Sequence, residues 1–260
     1  MVLRITCSLL CAAALLHASG VAAQATSTGS GQGYPVKPIR LILPVAPGGG
    51  SDIIVRVVTQ KIMASIGQQF VIDYRGGANG NIAHDLAAKA APDGYTLLWV
   101  NAGIATNASL YKKLNHDPVK DFMPITQLTS QSYVFVAHPS VPVKNVREFV
   151  ALSNVRKGGL VYASTGAGSL PHLGMELLKI QAGVPGTHIP YKGAGPALID
   201  LIGGQVDVMM PTLIAGTPLV KGGKLRALAV GSSPEEFSAY IKSDMTKWAP
   251  VVKASGATAD

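Results

Sequence analysis

Ile39-Arg40-Leu41-Ile42-Leu43-Pro44-Val45, followed by Ala46-Pro47-Gly48-Gly49-Gly50-Ser51-Asp52, decides the fold class. The run up to Val45 is short and almost wholly apolar, as a buried strand is, and the Pro/Gly cluster after it reads as a turn. Ser51 or Asp52 is then expected to cap a helix. Its apolar residues Ile54, Val57, Val58, Ile62 and Ile66 recur at helical spacing, and Gly67 ends it. A second strand follows at Phe70-Val71-Ile72. Strand, glycine turn, helix and strand make the βα unit of an α/β protein.

The unit repeats outward from there. Gly76-Gly77-Ala78-Asn79-Gly80 leads into a helix predicted over 81–91, and Pro92-Asp93-Gly94 turns the chain into a strand at 95–100. Further strands are predicted at 133–137, 160–163, 187–190, 206–210 and 225–230, with helices starting near Asn145, Leu170, Pro196 and Leu213. This alternation predicts largely parallel sheets. So many units suggest two lobes, at 34–130 and 131–230, with the break near residues 122–132.

The N-terminus reads as a secretory signal over 1–25. Arg4 gives a positive start, residues 5–16 an apolar run, and cleavage after Ala23 or Ala25 fits the small-residue rule. The run is shorter than the about 20 residues of a membrane span. A flexible Gly/Ser/Gln leader at 26–33 would follow, and a periplasmic or secreted location is implied. Both cysteines, Cys7 and Cys11, fall in the signal, so the mature chain is expected to lack disulfides, thiolate metal sites and Cys nucleophiles.

The 260 residues carry 22 Lys+Arg and 14 Asp+Glu, a net charge of +8, yet only 14% are charged and 48% are hydrophobic, which excludes a disordered chain. Aromatic residues at 6% and the absence of a basic run argue against nucleic-acid binding. The charge serves solubility or a mild attraction for anionic solutes or a membrane surface.

Two glycine loops carry the functional reading. Pro47-Gly48-Gly49-Gly50-Ser51-Asp52 and Ser164-Thr165-Gly166-Ala167-Gly168-Ser169 each join a strand to a helix, with His172 in the first turn after the second. Such loops bring backbone N–H groups close to an anion; each alone could equally be an ordinary βα turn. Lys192, in Tyr191-Lys192-Gly193-Ala194-Gly195-Pro196, either offsets a ligand carboxylate or is solvated. Asn101 either bonds a ligand or starts a turn. His84 and His172, near helix starts, read as hydrogen-bonding or capping residues. Phosphate-loop, dinucleotide, nucleophile-elbow and helical zinc motifs are missing, so no catalytic residue, metal or cofactor is expected. A small-molecule enzyme on the same scaffold is the weaker alternative.

These motifs resemble the substrate-binding proteins of tripartite tricarboxylate transporters, the Bug receptors. The likeness runs in order through Tyr34-Pro35-Val36-Lys37-Pro38-Ile39-Arg40, the first glycine loop, Ala91-Pro92-Asp93-Gly94-Tyr95-Thr96-Leu97-Leu98, Asp117-Pro118-Val119-Lys120-Asp121-Phe122, Pro190-Tyr191-Lys192-Gly193 and Gly223-Lys224-Leu225-Arg226-Ala227-Leu228-Ala229-Val230. The resemblance implies a monomeric periplasmic receptor with a two-lobed binding-protein fold of type II. It would close on a small organic carboxylate and deliver it to the membrane subunits of the transporter. The loops from Ala46 to Asp52 and from Ser164 to His172 would hold the carboxylate through backbone N–H groups and waters.

Two departures from the family pattern stand out. Asp73-Tyr74-Arg75-Gly76-Gly77-Ala78-Asn79-Gly80 differs from the usual loop. After Val230 the family continues through a strand and helix returning to the first lobe. Here Gly231 opens a segment, 231–260, resembling the final helix that packs back on that lobe. The expectation is an internal deletion at Val230/Gly231, leaving part of the first lobe missing and the product destabilised or a remnant.

Overall fold

The computed structural model describes residues 33–230, and the described residues from Pro35 onward belong to one compact unit. The expected signal, nearly all of the leader, the junction after Val230 and the C-terminal helix lie outside the described residues. The elements run β1 (Ile39–Leu43), α1 (Gly50–Ile66), β2 (Phe70–Tyr74), α2 (Asn81–Ala88), β3 (Thr96–Leu98) and α3 (Gly103–Leu110). They continue with β4 (Val134–Ala137), α4 (Val146–Val155), β5 (Leu160–Ser164), α5 (Leu170–Ala182), β6 (Gly186–Pro190), α6 (Ala194–Ile202), β7 (Val208–Met209), α7 (Leu213–Lys221) and β8 (Arg226–Val230). Among the described residues, no helix is long and apolar enough to cross a membrane.

Two sheets organise these elements. The first is parallel, in the order β2-β1-β3, with Ile39 opposite Phe70 and Leu41 opposite Leu97. The second has the order β6-β5-β7-β4-β8. Its β5 pairs in parallel with β6 and β7, but β4 runs antiparallel to both β7 and β8. The second sheet is therefore mixed rather than largely parallel. Apolar strands buried on both faces read alike in either direction, so the sequence pattern could not set the orientation of β4.

Alternation along β4 shows how this sheet is covered. Val134 and Val136 pack with α6 and α7 residues such as Ala197, Leu201 and Ala215. Phe135 and Ala137 join Phe149, Tyr162 and Met175 on the other face. The first sheet has its own core of Leu41, Leu43, Val45, Val55 and Trp99. Helix α1 buries Gly50, Asp52, Val55 and Thr59, whereas Val57 is exposed. The helical period was correct, but the stripe facing the core lies to one side of the one expected from apolar residues alone.

Gly67 and Gly183 end α1 and α5 in the left-handed conformation, with φ of 68° and 64°, where glycine carries no Cβ penalty. Helix α3 was missed. Its sequence, Gly103-Ile104-Ala105-Thr106-Asn107-Ala108-Ser109-Leu110, has no amphipathic stripe, and it is held instead by buried amides described below. Helix α2 stops at Ala88, three residues before the expected end.

His84 of α2 departs from its expected polar role. It is fully buried, and neither ring nitrogen has a hydrogen-bond partner. His116 meets it edge-on, with ring centres 5.4 Å apart, and its own Nδ1 lies 2.5 Å from the Asp85 carboxylate. Burial, aided by His116, pushes the His84 pKa down from 6.5 to about 4. Between those values the unfolded chain binds a proton that the native fold refuses, so stability falls as pH falls across that window. A single group of this kind costs about 1.4 kcal/mol per pH unit. Urea melts across the window should show a steeper loss for the wild type than for His84→Met, and equal slopes would contradict this role.

Candidate functional site

The first loop is shaped by residues that cannot behave like ordinary ones. Pro44 and Pro47 lack N–H groups, and Gly48 has a φ of 87°. Gly49 is the N-cap of α1 and supplies no side-chain cap, so the helix begins at Gly50, before the predicted Ser51 or Asp52 cap. Asp52 is instead a buried brace. It accepts the Gly48 N–H at 2.9 Å, Arg56 Nε at 2.8 Å and the Tyr74 hydroxyl at 2.5 Å. Burial acts to raise its pKa, but hydrogen bonds from Tyr74 and Gly48 and the Arg56 charge outweigh it and hold the carboxyl below its usual range.

The second loop leaves β5 at Ser164. Its hydroxyl oxygen accepts the Gly166 N–H at 3.1 Å, and the Gly168 N–H donates to His172 Nδ1 at 3.0 Å. Ser169 is the N-cap of α5, yet its hydroxyl caps nothing and has no partner.

The third loop joins the first directly. The Ala46 N–H donates to the Lys192 carbonyl at 2.8 Å. Gly195 approaches so closely that a Cβ there would lie 1.9 Å from the Pro47 carbonyl oxygen. Lys192 thus contributes its backbone, and its ammonium is not among the groups lining the cleft described next.

A buried amide network backs the second loop. Asn79 Nδ2 donates to Asn107 Oδ1 at 2.8 Å, while Asn107 Nδ2 donates to Asn79 O and to Asn81 Oδ1, the latter at 2.7 Å. Asn79 takes a left-handed φ of 49°. Thr106 Oγ1 bridges from this network to the Gly168 carbonyl at 3.1 Å. Sequence reading saw Asn79 only as part of a glycine turn, because nothing local connects it to Asn107.

These loops enclose a cleft of about 340 Å³ at the C-terminal ends of the parallel strands, where ligands of α/β folds sit. Gly49, Gly50 and Ser51 present the start of α1, Asn101 and Ala102 that of α3, Leu170 that of α5, Ala194 that of α6 and Thr212 that of α7. The N-cap residues themselves give these starts no side-chain cap, but the Gly103 N–H of α3 donates to Asn101 Oδ1 at 2.9 Å and the Leu213 N–H of α7 to the Ser132 carbonyl at 2.9 Å. Thr212 Oγ1 is also buried without a partner. Val45, Trp99, Val100, Ala105, Met210 and Pro211 supply apolar wall, and Gln127, Thr129, Ser130, Gln131 and Tyr133 supply neutral polar groups. None of the lining residues carries a charge. Among the described residues, no cluster of three metal-ligating side chains occurs.

Of the residues selected from sequence, Gly49, Gly50, Ser51, Asn101 and Thr165 line the cleft. Ala46, Pro47, Gly48, Asp52, Ser164, Gly166, Gly168, Ser169, His172 and Lys192 are not in the lining; several of them brace or join the loops. Residues 127–132 were read only as part of the break between halves, and Tyr133 as the start of a strand. The run of Gln, Thr and Ser was the available signal, but nothing in sequence folds it over the cleft.

The TctC model, described as the Tripartite tricarboxylate transporter family receptor, matches residues 54–243. Protein BugT of Bordetella pertussis is 36% identical over 202 residues, covering 77% of this chain and 62% of that protein. The chain thus spans less than two thirds of the length of this relative. Among solved structures, MatC (Rpa3494) from Rhodopseudomonas palustris with bound malate is 33% identical with a TM-score of 0.72, over 77% of this chain and 68% of that one. The periplasmic binding protein BugD is 25% identical with a TM-score of 0.76, over 86% of this chain and 99% of that one.

The loop junction makes a prediction of unusual sign. Gly195 lies in α6, where helix propensity alone would favour alanine by about 1 kcal/mol. Because the new methyl would meet the Pro47 backbone, Gly195→Ala should lower Tm instead. A raised Tm would show that the two loops do not depend on this contact.

Proposed function

The chain belongs to the tripartite tricarboxylate transporter receptor family, and from that premise we propose that it is a solute-binding receptor holding a small carboxylate in the cleft. The convergence of helix starts on a cleft without charged side chains carries this assignment. The first-turn N–H groups of α1 and α6, together with the positive ends of the converging helix dipoles, favour an anion. Each start contributes about 0.3–1 kcal/mol, so several together replace a fixed cation. The apolar wall suits the carbon body of an organic acid, and the glutamines and hydroxyls of 127–133 suit its further oxygens.

The remainder of the proposal follows the family. The receptor works as a monomer in the periplasm, reached through its N-terminal signal, and passes its solute to the membrane subunits of a tripartite transporter. Residues 34–130 and 131–230 act as lobes that close on the ligand. The likeness to MatC with bound malate and to the periplasmic BugD supports this. A receptor is preferred to an enzyme because the cleft offers hydroxyls and amides, with no imidazole, carboxylate or amine among its lining residues to activate one. A destabilised remnant is the second reading, resting on the internal deletion expected at Val230/Gly231.

Thermal melts with malate, succinate and citrate separate these readings. Ligand at 100 times its Kd stabilises by about 2.7 kcal/mol, a shift of several degrees. One carboxylate should raise Tm without being turned over. A chain with no cooperative transition would be a remnant. The amide basis is tested by Ser51→Pro, which removes one first-turn N–H at a position that Pro171 already occupies in α5. Affinity should fall about tenfold or more with Tm little changed, while Ser51→Ala costs less. Unchanged affinity in Ser51→Pro would remove the α1 amides from the site.

A further inference from the structure

Behind the second loop lies a stack of rings that the carboxylate reading leaves unused. His172 of α5 and His188 of β6 lie nearly parallel with ring centres 4.0 Å apart, and Tyr162 of β5 lies 5.0 Å from His188 on the same terms. Both imidazoles hold loop 164–169. His172 Nδ1 accepts the Gly168 N–H, and His188 Nε2 lies 2.7 Å from the Ser164 hydroxyl that takes the Gly166 N–H. Gly166 and Gly168 have φ of 139° and 81°, so this backbone has wide freedom and its shape depends on such ties. Thr165 presents the same loop to the cleft.

The groups facing the His172 ring are Glu176 and Lys179 of α5, Tyr162 of β5 and His188 of β6. Glu176 Oε1 lies 3.9 Å from His172 Nε2 and accepts from Lys179 at 2.8 Å and from the Tyr162 hydroxyl. Burial would raise the Glu176 pKa, but the bonds from Lys179 and Tyr162 keep it lowered. Burial pushes the His172 pKa down, with the Glu176 carboxylate opposing it; burial and then His172 push His188 down to about 3. Neutral His172 carries its proton on Nε2, because Nδ1 is the acceptor. A second proton would set an N–H at Nδ1 against the Gly168 N–H, and that bond could not persist.

We propose that His172 is a positioning residue of the anion site, holding loop 164–169 in its binding shape through Gly168, and that a proton taken up on Nδ1 loosens the loop and releases the carboxylate. The release step rests on reading the cleft as a carboxylate site; the loop step does not.

The experiment follows the Gly168 amide by NMR hydrogen exchange without ligand, together with malate affinity, as pH is lowered through the His172 titration. Three proteins are compared: wild type, His172→Phe, which keeps the ring stack without an acceptor, and His172→Asn, whose Oδ1 restores one that does not titrate. The wild-type amide should lose protection as His172 titrates, stay protected in His172→Asn and be unprotected throughout in His172→Phe. Malate affinity should fall about tenfold in His172→Phe at neutral pH. His172→Asn should recover most of that loss and abolish the pH dependence. Constant Gly168 protection while the His172 ring titrates would overturn the proposal, as would His172→Phe binding as tightly as wild type. Failure of every carboxylate to bind wild type would defeat the receptor reading and the release step, while the amide readout still decides the loop's dependence on His172. If His172→Phe does not fold, the comparison of wild type with His172→Asn decides alone.

Discussion

The Ala46 N–H donates to the Lys192 carbonyl across 2.8 Å, and around this bond Gly195 sits against the Pro47 backbone and Gly49 against Ala194. Loops from the two sheets meet there with almost no side chains between them. The start of α1 is thereby laid beside the starts of α6 and α7. A Cβ on Gly50 would lie 2.2 Å from Thr212 Oγ1, so the approach extends to the α7 cap. Glycine is required here for close passage of backbone. The cleft is a consequence of that passage, since only helices brought this near can aim their first turns at one small volume.

The proposed anion site differs physically from one built on lysine or arginine. A cation on a flexible stem adjusts to many ligands and weakens with salt. First-turn amides are fixed by the helices that carry them, so little ordering cost remains when the ligand arrives. Their geometry must then be maintained from behind. Asp52 ties the first loop to Arg56 and Tyr74, Asn79 and Asn107 back the second through Thr106, and His172 grips Gly168. Asp52 and His172, picked out near these loops, thus brace the scaffold, while neutral groups face the cleft. The neutral 127–133 segment is the part of the wall that offers side-chain amides and hydroxyls to the cleft.

Much of the fold was legible in the sequence, because each βα unit is marked by a short apolar run, a glycine turn and a helical period. The units around β1, β5 and β6 were located this way. The antiparallel setting of β4 was not, since a strand buried on both faces has no directional signature. Helix α3 was invisible for a related reason: its stability comes from Asn107 bonding to Asn79 and Asn81, partners far away in the chain. The site was legible to the level of its glycine loops. Ser51 and Thr165 were placed at the cleft by that reasoning, whereas Asp52 and His172 are buried beside the loops and Lys192 is exposed, all three outside the lining.

A crystal structure of the protein grown with malate tests the central claim most directly. A carboxylate group should lie within hydrogen-bond distance of the first-turn amides of α1, directly or through one water, with no lysine or arginine side chain touching it. A carboxylate held by the Lys192 ammonium, or seated away from the helix starts, would contradict it.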